Sequence, residues 1–585
     1  MLKKSLLIII AVIHLGCEDQ LEKNPDFISE NLVFEDQTLT ESYIADLYLS
    51  MNFQEVQGFG TIGIGLFSAA GAEHINFANW QYPNQTYIRQ YTSATGPGPL
   101  DRWPYENIRN MNVLLRDLPK STSLSESFKR EKVAEVRFLR AYEYFELVRR
   151  FGGVPLITRV QENDDSEAEL FPVRATEKEV YDFIYNEIND ILPDLSDVRT
   201  GAEGRVDRYT ALMLQSRAML YAASIANFGE VKLNGLVGIQ SSEAIDYYQR
   251  SYNASKEVMD ANLFALYEKN PDKMENFAAL FLEEGLGNPE VIFAERFEPF
   301  IKGHSLDWLA NPDGLGLEWN SNFPVLYDFV EIFDFVDGRT GKSIAREDLI
   351  LENSWDATDF FGNRDPRFIA SVFYPETEWK GQKIYFHSST LLADGTLVTD
   401  RNIILTKPDG ENIPAAAAPR NVRNTALLAR KRLDPTNIAT QSENSGQDFF
   451  VFRYAETLLN QAEAAFYLDN KDEALNLVNM LRTRAGMPNR TEISEDFLRQ
   501  ERQVELAFEE QRYWDLIRWR IATEVLGNVV TKGLVYRYNL ETDRYNITLK
   551  NAEGDMRQFG EERYYLPFGL DRLADNPNLV QNPGY

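Results

Sequence analysis

The chain has 585 residues and a formal charge of −30; 44% of it is hydrophobic and 12% aromatic. That composition supplies a large buried core and excludes a disordered chain. With 90 Asp and Glu against 60 Lys and Arg, it also excludes a protein built to grip nucleic-acid phosphates, which needs clustered cations.

Taken in order, the chain opens on Lys3-Lys4, then an apolar stretch from Leu6 to Ile13 that is too short to span a bilayer, then Leu15-Gly16-Cys17. This predicts a lipoprotein signal over residues 1–16, with Cys17 as the lipid-attachment residue. His14 departs from the Leu usual in such signals. Cys17 is the only cysteine, so no disulfide can form within one molecule. Residues 17–35, acidic at Glu18-Asp19, read as a tether, and 36–585 as a single domain.

Within that domain, apolar residues recur at three- and four-residue steps. They predict helices at Asp36 to Met51, Trp103 to Leu118, Ser125 to Phe151, Glu177 to Leu192, Arg208 to Ala226 and Ala244 to Met259. Two more fall within Tyr454 to Arg484, split at Asp469-Asn470-Lys471, and a last one runs from Ser494 to Trp519. Helix-turn-helix units cannot bury their apolar stripes alone and must stack. The expectation is therefore a mostly α fold, a tetratricopeptide-like array of about four helical pairs over 36–52, 103–285 and 452–520. The intervals 53–102 and 286–451 are rich in Gly, Pro, Asn and Asp and predict long irregular loops with a few short strands. Residues 521–585 form a C-terminal tail.

Catalytic patterns are sparse. The four histidines, His14, His74, His304 and His387, lie far apart in sequence, and there is no nucleophile elbow and no phosphate loop. Gly58 to Gly63 matches GxGxxG, but no strand leads into it and no acidic residue follows at the required distance. Glu501, Glu505 and Glu509 lie on one helix face and share that helix with Arg502, Arg512 and Arg518, which predicts an ion-pair network, with Glu509 facing Arg512 and Asp515 facing Arg518. A glycosidase would need carboxyls opposed across a cleft. Asp313-Gly314 and Asp337-Gly338 read as turns; neither a metal site nor a cofactor is expected.

Binding fits the loops better. Sugars offer C–H faces to flat rings and hydroxyls to amides and carboxylates. Trp80, Tyr82, Tyr87, Trp103 and Asn107 in the first region, and Trp308, Trp319, Asn320 and Tyr327 in the second, supply that chemistry. Of these, Trp80, Tyr82, Trp103, Asn107, Trp319 and Asn320 are the expected ligand contacts.

Several stretches resemble the SusD/RagB lipoproteins of Bacteroidetes. They are Glu135 to Tyr142, Phe151-Gly152-Gly153-Val154-Pro155-Leu156, Arg453 to Leu459, Leu481 to Gly486, Glu501 to Glu509 and Arg512 to Trp519. The closing Tyr565-Leu566-Pro567-Phe568-Gly569 and Asn576 to Tyr585 belong to the same set. The resemblance implies a non-catalytic, lipid-anchored surface protein of the outer membrane. It would sit as a lid on a SusC-like TonB-dependent transporter, its partner, and deliver oligosaccharide for import. Capture of peptides by the same architecture, or a surface glycosidase, are the alternatives.

Overall fold

Helices form where the three- and four-residue spacing places them, and local signals end them. In the computed structural model, which describes residues 30–53, 65–75, 92–315, 320–350, 352–419 and 424–585, we number the main helices in chain order. They are α1 (Gln37–Ser50), α2 (Tyr105–Asp117), α3 (Glu126–Phe151), α4 (Glu177–Ile191), α5 (Arg208–Phe228) and α6 (Ala244–Asp260). Then come α7 (Lys273–Leu280), α8 (Tyr454–Tyr467), α9 (Lys471–Ala485), α10 (Glu495–Glu505) and α11 (Arg512–Arg518). Side chains cap the orphan amides at their starts: Ser125 for α3, Asp207 for α5, and Thr176 with Glu179 as a reciprocal box for α4. Gly486, at φ 75°, ends α9 in the left-handed conformation.

The helices stack in one continuous order. α2 packs on α3, α3 on α4, α4 on α5, α5 on α6, and α6 directly on α8, which pairs with α9. The array thus closes across the whole interval between Asp260 and Tyr454. α7, next after α6 in sequence, packs instead on a short helix at Pro366–Ser371. The mostly α, tetratricopeptide-like fold is as expected, and one apolar cluster gathers side chains from Phe34 to Leu579.

One expectation needs correction. The helix foreseen from Ser494 to Trp519 is broken between Glu505 and Arg512, where Phe508 and Glu510 adopt φ of 58° and 60°. The break turns Phe508 into the core and sends Glu509 to Arg453 and Lys431 rather than to Arg512; the Asp515–Arg518 pair does form, at 2.9 Å. The C-terminal tail, in turn, contributes the longest strands. Lys532–Asn539 and Arg544–Asn551 pair antiparallel, and the first also pairs parallel with Ser389–Leu391.

The end of the tail locks the first half of the array. Leu566 N donates to Arg150 O at 2.7 Å, and Asn582 Nδ2 donates to Phe151 O and Leu566 O at 3.0 and 2.8 Å. Gly153 sits in the same junction. A Cβ there would meet Ala175 O at 1.9 Å, so no other residue fits.

The core also holds a web of ions. Arg453 Nη1 reaches Glu290 at 2.6 Å and Glu505 at 2.8 Å, while its Nε and Nη2 both bond Glu509 at 2.7 Å. Arg484 bonds Glu505 and Glu290; Arg367 bonds Asp365, Glu501 and Glu505; Arg482 bonds Glu501; Lys431 bonds Glu509. Five cations (Arg367, Lys431, Arg453, Arg482, Arg484) thus meet five carboxylates (Glu290, Asp365, Glu501, Glu505, Glu509), all buried. Burial alone would raise the Glu509 carboxyl, but Arg453 and Lys431 overcome it and bring it down to about 2.

Replacing Arg453 with Met leaves Glu505 and Glu509 short of their main partner and should destabilise the fold by about 3–5 kcal/mol in chemical denaturation. Because Glu509 is held below its ordinary 4.5, its contribution is complete above that value. It should be lost as pH falls from there towards about 2, which an acid titration of stability would follow.

Candidate functional site

The loop-rich interval meets the helical frame along a short ribbon of three chain segments. Ile75 N donates to Pro324 O at 2.9 Å and Leu326 N to Glu73 O at 3.2 Å, setting 73–75 antiparallel to 324–326. On the other side, Val325 N donates to Leu427 O at 2.9 Å and Ala429 N to Phe323 O at 3.0 Å. By this register, Ile75 and Phe323 lie towards the same end of the ribbon.

Beneath the ribbon lie two buried carboxylates. Glu510, carried by the turn between α10 and α11, accepts from Gly65 N, Phe67 N and Ser68 Oγ at 2.9, 2.7 and 2.6 Å. It thereby pins the start of the one-turn helix Leu66–Ala70. Glu73, 1% exposed, accepts from Phe508 N at 3.2 Å. Burial, reinforced by the nearby Glu510 carboxylate, pushes the Glu73 carboxyl up to about 8, so it is mostly protonated at neutral pH. Burial also lowers His74 to about 4, and its Nδ1 lies 3.2 Å from Ile75 O. These groups are closed off from solvent, and each takes at least one backbone partner, so they position the ribbon rather than act on a substrate.

A second anchor is Asp307. It accepts from Asp434 N, Gln447 Nε2, Asn437 Nδ2 and Ser445 Oγ at 2.8 to 3.0 Å, and so straps the segment 434–447 to the short helix Leu306–Ala310. Nothing in the sequence around Asp307 or Glu73 marks them, since their partners are remote. The other two histidines among the described residues are likewise buried and neutral. His304, lowered to about 3, bonds Gln447 O, and His387, lowered to about 4, bonds Pro414 O. Glu501, Glu505 and Glu509 point into the ion web.

Of the expected ligand contacts, Trp80, Tyr82 and Trp319 lie outside the described residues, as does Cys17. Asn320 is half-buried and precedes Ser321, whose N–H donates to Asn311 O at 2.9 Å. Trp103 and Asn107 have packing roles. The Trp103 ring meets Phe151 and Phe568 at 5.4 and 5.6 Å, and the Arg572 guanidinium lies over it at 4.8 Å. Asn107 Nδ2 donates to Ser50 O and to Glu143, both at 3.1 Å, tying α2 to α1 and α3. The partners of Trp103 arrive from the far end of the chain, which is why a sequence window showed only an aromatic beside a loop. Trp308 is half-buried against the core, and Tyr327 is fully inside it.

Comparison with known proteins adds family context. Residues 289–585 match the family described as the SusD family, and residues 21–220 match one described as starch-binding and associating with the outer membrane. A SusD-like protein of Formosa agariphila is 22% identical over 612 residues, covering 99% of this chain and 98% of that protein. The starch-binding protein SusD of Bacteroides thetaiotaomicron is 30% identical over 149 residues, about a quarter of each chain. Among solved structures, a SusD-like protein of Bacteroides fragilis superposes with a TM-score of 0.71 at 23% identity, covering 95% of this chain and 99% of that one.

The protonated state of Glu73 gives a measurable signature. A carboxyl titrating near 8 when folded and near 4.5 when unfolded holds a proton that the unfolded chain releases. Stability from this group therefore falls as pH rises between those values, by about 1.4 kcal/mol per unit, and levels off above. Glu73→Gln should remove that slope and make the protein more stable than wild type at pH 8, as urea denaturation at pH 5 and 8 would report.

Proposed function

The chain belongs to the SusD family, and from that premise we propose that it is a non-catalytic surface protein that captures oligosaccharide and passes it to a SusC-like TonB-dependent transporter. The observation that carries this reading is the family match over residues 21–220 and 289–585, the first of them to a family described as starch-binding and associating with the outer membrane. Flat rings such as those of Trp80, Tyr82 and Trp319 can stack on sugar faces, and side-chain amides can bond hydroxyls. A laminarin-binding SusD-like protein shares the fold, with a TM-score of 0.59, and the starch-binding relative named above supports saccharide as the ligand class.

Attachment through acyl chains on Cys17 fits a body whose described residues include no helix long and apolar enough to cross a membrane. A lid that hands its cargo inward is best served by modest affinity, since very tight capture would stall release.

Incubating the purified chain with glycan and peptide pools tests the reading: intact glycan should be retained, whereas retained peptide or a cleaved sugar would overturn it. Trp80→Ala and Trp319→Ala should each weaken glycan retention by roughly 1–3 kcal/mol. Thermal stability should fall by less than the roughly 3–5 kcal/mol of a core Trp→Ala change. Cys17→Ser should move the protein from the membrane fraction to the soluble fraction of fractionated cells.

A further inference from the structure

A cleft of about 290 Å³ opens on the flank of the frame, between α7, the turn at 378–381 and the segment 430–435. That is close to the lower bound of small-molecule sites, about 300 Å³. Phe277 and Phe281 line it together with Trp379, whose Nε1 donates to Asn311 Oδ1 at 2.9 Å. Its charge is the reverse of the chain's. Lys380, Arg430, Lys431 and Arg432 face it against only Glu275 and Glu378, in a protein where acids outnumber bases 90 to 60.

Three of these cations are satisfied. Lys380 Nζ donates to Asn437 O at 2.6 Å, Arg430 Nη1 to Ile369 O at 3.3 Å, and Lys431 Nζ to Ala507 O and Glu509, both at 2.7 Å. Arg432 differs. It is 3% exposed, yet Nε, Nη1 and Nη2 all lack a hydrogen-bond partner among the described residues. The guanidinium lies over the rings of Phe449 and Phe281, at 4.9 and 5.6 Å, which offset only part of what a charge loses on leaving water. Burial accordingly lowers it to about 10.

The backbone of Arg432 is unusual as well. It adopts φ 68°, disfavoured for a residue with a Cβ, and Gln447 Nε2 holds its carbonyl at 3.0 Å. Conformations of this kind persist where the surroundings over-determine them, and they gather at ligand clamps. A planar guanidinium with every donor unused matches the paired oxygens of a carboxylate or sulfate.

We propose that this cleft binds an oxyanion, the carboxylate or sulfate group of a small acid or of an acidic sugar, through Arg432, with Arg430 and Lys380 on the approach. The proposal does not rest on saccharide capture at the ribbon, so either can fail without the other.

Isothermal titration calorimetry of the purified chain, at fixed ionic strength in sodium chloride, tests it with sodium sulfate, sodium glucuronate and glucose as probes. Heat of binding is the readout because sulfate stabilises folded proteins generally. Saturable binding of glucuronate or sulfate, and none of glucose, is expected. Binding of both means a bare oxyanion suffices, and binding of glucuronate alone means the acid must be borne on a sugar. Arg432→Met, with its fold checked by near-UV circular dichroism, should weaken binding at least tenfold. Should that variant not fold, Arg430→Gln and Lys380→Ala, both at half-buried positions, should each weaken binding severalfold. No saturable heat with either anion in the wild type, or binding unchanged in the variants, would overturn the proposal.

Discussion

Arg453 is the interaction on which the remaining architecture depends. It closes the strand Phe449–Arg453 and opens α8, and its guanidinium joins Glu290, Glu505 and Glu509. Those carboxylates come from the start of the loop-rich interval and from the last helical unit. A single buried side chain thus sets how the second half of the array sits against the insertion. Burying ions is expensive unless each finds its partners. Here cations and carboxylates balance, so the web tolerates one arrangement of its segments and penalises others. Its value lies in that specificity as much as in stability.

The same web explains the kink between α10 and α11. A continuous helix from Ser494 to Trp519 would keep Glu509 and Glu510 on its surface, where Arg512 is near. Breaking it at 506–511 delivers Glu509 to Arg453 and Glu510 to the amides of Gly65 and Phe67. The ribbon that carries the loops is thereby anchored to the ion web through two consecutive residues. The contact joins parts of the chain more than 400 residues apart in sequence.

Charge is distributed by depth. The acidic excess is a property of the whole chain, whereas the interior pairs its ions closely. The flank cleft is a local exception, with basic residues gathered at one wall and a guanidinium without a hydrogen-bond partner among the described residues. The loop edge, by contrast, is underlain by a carboxyl kept neutral by burial.

By itself the sequence determined most of the helices, because 3.6-residue periodicity acts over a few positions, but neither the break at 506–511 nor α7. It determined the stop at Gly152-Gly153 and the family resemblance for the same local reason. It also showed that Glu501, Glu505 and Glu509 belong to an ion network. Only the tertiary structure decided who their partners are, since Arg367, Lys431 and Arg453 lie on other segments. It decided that α6 stacks on α8 across a long insertion, and that Phe568 and Arg572 occupy the faces of Trp103. It alone revealed Glu73, Asp307 and Arg432, whose chemistry comes from burial and from neighbours that no short window contains.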